Sequence, residues 1–296
     1  MPTYLKGVFN FNHVNEMLAA VHNLFERTAE LYNPHDNQPA PGSIAFREWN
    51  SFQNQQLIID VYYRALFSME SAADHLISFA NLYVEPATTL APWTCIRGLL
   101  ESSAIGLWFL DPTIDAKTRV ARCFAFRYEG LCQQIKFCRA EKLHSYISNI
   151  QKRIVEVEQE AVDLGFEKKA SPNGSINGIA MAWPGITELI KTTLNFEGAY
   201  RLFSEISHGH QWAIAKISYQ EYTTAKSNIP HSYSFEKRVR PETIMYTGMV
   251  AIPAFSKLLW NIWYVYGWDR SEIEDCLNQV YDQAHLKNNM KLWRSK

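Results

Sequence analysis

From Ile244 to Trp268 the chain is rich in Met, Ile, Leu, Trp and Tyr, so a helix there is apolar on nearly every side. Such a helix must lie in a bilayer or inside a jacket of other helices. Pro253, Ser256, Lys257 and Asn261 interrupt the run, and nothing comparable accompanies it elsewhere. These interruptions favour a buried helix, bent at Pro253, over a membrane span. The rest of the chain must then supply the jacket.

It has the periodicity to do so. Asn12 to Tyr32 opens on a capping residue and repeats Val14, Met17, Leu18, Val21, Leu24, Phe25 and Leu31 at helical intervals. A breaker run over 33–42 follows, then a second helical region from Gln56 to Tyr83 that ends before Pro86. Thr94 to Leu110 is apolar apart from Arg97 and Glu101, and Asp111-Pro112 stops it. From Asp115 to Leu164 there is no proline and only Gly130, so we expect one long helix whose charged second half projects from the body or packs in a dimer. Gly165 to Gly178 is the clearest loop, and a short helix with Pro184 in its first turn reaches Asn195. A helix from Glu197 to Tyr219, a polar stretch from Gln220 to Arg240, and helices over Pro241–Tyr266 and Ser271–Met290 complete the chain. No alternating strand run stands out, so the expected fold is an all-α bundle of about eight helices. It forms one body over 1–296: N-terminal helices over 12–110, the long helix at 115–164, and C-terminal helices over 184–290 carrying the candidate site.

Composition narrows the function. Of 296 residues, 47% are hydrophobic and 14% aromatic, enough for a large core. The formal net charge of −1 exerts no global pull on nucleic acid or anionic lipid, so such binding must be local. Cys95, Cys123, Cys132, Cys138 and Cys276 include no CxxC pair and mostly sit in apolar helical segments, which reads as reduced thiols in a cytoplasm. Met-Pro-Thr-Tyr-Leu-Lys lacks a signal-peptide layout. No P-loop, GxGxxG, GxSxG or HExxH motif occurs.

The chemistry concentrates in Tyr200-Arg-Leu-Phe-Ser-Glu-Ile-Ser-His-Gly-His-Gln-Trp212, where Arg201, Glu205 and His208 share one side of a helix at offsets of four and seven. A guanidinium can hold a phosphate and an imidazole can move a proton near neutral pH. The structural alternative is an Arg201–Glu205 pair with His208 hydrogen-bonded inside the bundle. His208 and His210, with Glu205 or Asp74-His75, also invite a metal reading. Residues two apart diverge by about 200° on a helix, so both imidazoles reach one ion only if Gly209 ends it; we expect no metal and no cofactor. Arg97, Glu101 and Arg122 should cluster, because an unpaired buried charge is costly, and that cluster could line the same pocket as His208. Lys237, Arg238 and Arg240, near Tyr233 and Phe235, read either as a solvated loop or as a grip on a nucleic-acid backbone.

An arginine followed at the seventh position by histidine resembles the HEPN ribonuclease motif. The segments Ile96-Arg-Gly-Leu-Leu-Glu-Ser-Ser-Ala-Ile-Gly-Leu-Trp-Phe-Leu-Asp-Pro112, Thr118-Arg-Val-Ala-Arg122 and Tyr200–His210 together resemble a group of bacterial helical proteins of HEPN-like character, over roughly Asp60 to Ile217. The resemblance implies a helical bundle and a metal-independent endoribonuclease in a toxin or phage-defence setting. His208 would be general base or acid, Arg201 would neutralise the phosphate, and two motifs would face each other in a homodimer. One position departs from the pattern: the residue after the arginine is commonly polar in active HEPN nucleases and is Leu202 here. The competing expectation is a non-catalytic scaffold that recruits a protein partner through the 115–164 helix, with no membrane association in either case.

Overall fold

The computed structural model describes residues 9–84, 88–170, 176–222, 234–237 and 240–286. It is an all-α fold centred on the apolar run. α10 (Pro241–Tyr266) buries residues all round, including Ile252, Phe255, Leu259, Ile262, Trp263 and Tyr266, and carries Pro253 within it. Its jacket is made by α1 (Phe11–Tyr32), α2 (Ile44–Ser51), α3 (Gln55–Asn81), α4 (Ala91–Phe109) and α11 (Arg270–Gln283), each of which touches it. Among the described residues no helix is long and apolar enough to cross a membrane. Burying each large side chain of this kind contributes about 1.5–3 kcal/mol.

α3 and α4 run antiparallel at close range because α4 turns a seam of small residues toward its neighbours. A Cβ on Gly98 would lie 2.4 Å from His75 Nε2, and one on Gly106 would lie 2.7 Å from Leu258 Cδ1 and 3.3 Å from Ser68 Cβ. Between them the Ser71 and Ser102 hydroxyls meet at 2.9 Å. His75 therefore packs over a glycine on α4, and Asp74 beside it is exposed.

The stretch expected as one long helix is a hairpin of α5 (Ala116–Ala140) and α6 (His144–Asp163). Lys142 takes a left-handed φ of 58°, and Leu143 N–H reaches back to the Cys138 carbonyl at 2.7 Å, closing α5 with a C-terminal turn normally built on glycine. The arms are tied by Arg127–Glu160 at 2.7 Å. Three short antiparallel strands, β1 (Lys168–Ala170), β2 (Ile176–Ile179) and β3 (Met181–Ala182), fall in and just beyond the segment read as a loop. Then come α7 (Ile186–Leu189), a π turn over Ile190–Leu194, α8 (Glu197–Ser207), α9 (Gln211–Ser218) and a hairpin of β4 (Tyr219–Tyr222) with β5 (Ser234–Lys237).

An aromatic contact locks the turn after α1 onto the core. His35 stacks on Trp268 at 4.2 Å and 5° and meets the edge of Trp263 at 6.1 Å. Burial lowers its pKa, with Glu272 opposing. Because the folded imidazole resists protonation more than the unfolded one, stability is complete above the ordinary value of 6.5 and declines as pH falls below it. Thermal melts are expected to show this decline, and His35→Phe should flatten it; an unchanged pH profile in the variant would refute the assignment.

Candidate functional site

α8 sorts its faces cleanly. Ala199, Phe203 and Ile206 face the core, Phe203 against Trp93 at 5.3 Å. Tyr200 and Ser207 form the edge that meets α4: the Tyr200 hydroxyl donates to Glu101 Oε1 at 2.9 Å, and the Ser207 and Thr94 hydroxyls lie 3.1 Å apart. Glu197, Arg201, Glu205 and His208 follow the next row round, toward solvent.

On that row the expected Arg201–Glu205 pair does not form. Arg201 turns one turn the other way, and its Nε and Nη2 donate to Glu197 Oε1 at 3.0 and 2.7 Å. The guanidinium remains 65% exposed, so the pair contributes only about 0–1 kcal/mol and can be exchanged for a stronger anion. Glu205 looks toward the C-terminal end of α8. One of its oxygens meets His210 Nδ1 and accepts the Trp212 indole N–H at 3.2 Å. The His210 hydrogen bond, with that of Trp212, holds the Glu205 carboxyl below the usual carboxylate range.

This arrangement follows from the chain reversal between α8 and α9, where the sequence reading had one continuous helix. Gly209 adopts φ +75°, and His210 N–H reaches back to the Glu205 carbonyl at 3.0 Å. His208 is the last residue before that turn. Its imidazole is exposed, makes no hydrogen bond among the described residues, and has its ring centre 6.2 Å from that of His210. The reading that seals His208 inside the bundle is therefore overturned. Gly209 does end the helix, the condition set for a shared metal ion, yet among the described residues no three His, Cys, Asp or Glu side chains converge on a common point.

The expected Arg97–Glu101–Arg122 cluster divides. Arg97 and Glu101 pair at 2.9 Å, and Arg97 lies 5.7 Å from the centre of the Tyr200 ring, so both border α8. Arg122 sits at the other end of α4, donating to the Trp108 carbonyl and to Asp111 Oδ2 at 3.3 Å. Eleven residues of helix, about 16 Å, separate the Arg97 and Trp108 positions. Arg119, three residues before Arg122 on α5, is fully buried. It donates to Glu48 Oε2 at 3.0 Å, to the Phe109 carbonyl and to the Asp111 carbonyl at 3.2 Å. The two arginines thus satisfy carbonyls left open where α4 ends.

Of the basic loop, Arg240 is exposed at the start of α10 and Lys237 closes β5. Arg238 and Tyr233 lie outside the described residues, and Phe235 is on β5 opposite Glu221. Trp212 is the site residue that sequence reasoning missed. It ends the polar segment, and a tryptophan directly after His-Gly-His-Gln was the available signal. No family model, curated protein or solved structure matches this chain.

Proposed function

We propose that this protein is a metal-independent endoribonuclease of HEPN type, acting as a homodimer in a toxin or phage-defence setting. One observation carries the reading: the His208 imidazole stands in solvent with no hydrogen bond among the described residues, on the same helix row as an exposed Arg201. An exposed imidazole at the end of α8 is open to a phosphodiester arriving from solvent, which a ring sealed in the bundle would not be.

The chemistry follows from the two groups. His208 takes the proton of a ribose 2′-hydroxyl, the 2′-oxygen bonds to phosphorus, and the bond from phosphorus to the 5′-oxygen breaks. The leaving oxygen receives a proton from the second copy of the motif across the dimer. Arg201 leaves Glu197 for the phosphate, where negative charge builds in the transition state. Arg97, which borders α8 through Tyr200, can contact the RNA backbone, whereas Arg122 holds the end of α4.

The test is incubation of purified protein with mixed RNA in EDTA. Wild type should cleave, and His208→Ala should not. Equal behaviour of the two proteins contradicts the reading. A second reading rests on the α5–α6 hairpin, which exposes Phe137, Tyr146, Val155 and Val162. On that reading the molecule is a scaffold whose hairpin takes a protein partner, and alanine at these four positions removes its function while substitution of His208 changes nothing.

A further inference from the structure

Trp212 presents a large aromatic surface to solvent. Its side chain is 56% exposed in the first turn of α9, where Ala213 and Ile217 do the packing, so the core does not require a large residue there. Nor is the indole left to swing freely: its N–H is fixed on Glu205 at 3.2 Å, and the same carboxylate oxygen fixes His210. Glu205 thereby ties the start of α9 back onto α8, across the Gly209 reversal and beside His208.

We propose that Trp212 is a stacking platform for a nucleobase of single-stranded RNA, next to the phosphodiester engaged by Arg201 and His208, with Glu205 as the positioning residue. This rests on the nuclease reading for its site and adds the substrate class. Two features favour unpaired RNA. Within an A-form duplex the base faces are already covered by their neighbours, so a lone protruding indole can stack only on an unstacked base. The chain as a whole also has a net charge of −1, so beyond the phosphate that Arg201 takes up in place of Glu197 there is no global attraction for an RNA backbone, and stacking supplies the larger share of the affinity. Glu205 supports this by holding the ring before RNA arrives, which reduces the ordering cost of binding.

The test uses the full chain carrying His208→Ala, titrated with a fluorescein-labelled twelve-nucleotide oligouridine and with the same strand annealed to its complement. The single strand should bind more tightly than the duplex. Adding Trp212→Ala should weaken single-strand binding about 10- to 100-fold, whereas Trp212→Phe should retain most of it. Glu205→Ala should weaken it less, and Glu205→Gln, which keeps an acceptor for the indole, should restore it. Unchanged affinity in Trp212→Ala overturns the proposal, as does a loss that coincides with dissociation of a dimer. The failures are separable: loss of RNA binding in a protein whose wild type cleaves nothing keeps the platform and removes the nuclease. Wild-type cleavage with an unchanged KM in Trp212→Ala does the reverse.

Discussion

Arg119→Ala should cost the fold about 3–5 kcal/mol, the scale set by stranding a buried carboxylate. Arg119 is 0% exposed, and its partner Glu48 is 13% exposed, so removing the guanidinium strands a carboxylate that water barely reaches. Tyr62 still donates to Glu48 at 2.7 Å, but a neutral hydroxyl does not replace an ion, and the Phe109 and Asp111 carbonyls lose their donor as well. For a chain of this size the loss corresponds to roughly 6–20 °C in melting temperature. Arg119→Lys should recover little, since one ammonium cannot serve the carboxylate and the separated carbonyls that the planar fork reaches together. Arg97→Ala is the contrasting case. Its pair with Glu101 is 27% and 32% exposed, and a loss of no more than about 1 kcal/mol is expected. Equal melting temperatures for the Arg119 and Arg97 variants would refute this account of how the end of α4 is joined to α2 and α5.

The second large effect is kinetic. If Arg201 stabilises the phosphorane-like transition state, Arg201→Ala should lower kcat for RNA cleavage by about 10²- to 10³-fold. The same change should move stability by no more than about 0.5 kcal/mol, because the side chain is 65% exposed and its tie among the described residues is to Glu197. Arg201→Lys should restore part of the rate, through charge without the bidentate fork. A decrease in kcat that follows a drop in melting temperature would instead make Arg201 a structural residue.

Much of the architecture was legible because helical periodicity is a local signal. The apolar run of α10, the stripe of α1 and the stop at Asp111-Pro112 each appear within one segment. The break between α5 and α6 was not legible: it depends on Lys142 in a left-handed conformation, with neither glycine nor proline to mark it. α2 was missed because eight residues hold too little periodicity, and the strands because none of those described exceeds four residues. At the site, the sequence gathered the reactive groups but misassigned their partners. Arg201 has a carboxylate one turn away on each side, and spacing alone does not choose between Glu197 and Glu205. The Gly209 reversal makes the choice by bringing His210 and Trp212 to Glu205. Arg122 was placed with Arg97 because both are arginines near one apolar helix, yet they serve opposite ends of α4.

The nature of the cut ends tests the central claim most directly. If the His208 imidazole activates the ribose 2′-hydroxyl, mass spectrometry of the cleaved RNA will find a 2′,3′-cyclic phosphate on one fragment and a 5′-hydroxyl on the other, and a 2′-deoxy substitution at the scissile nucleotide will prevent the cut. Fragments ending in a 3′-hydroxyl and a 5′-phosphate, or equal cleavage of the deoxy strand, would contradict it.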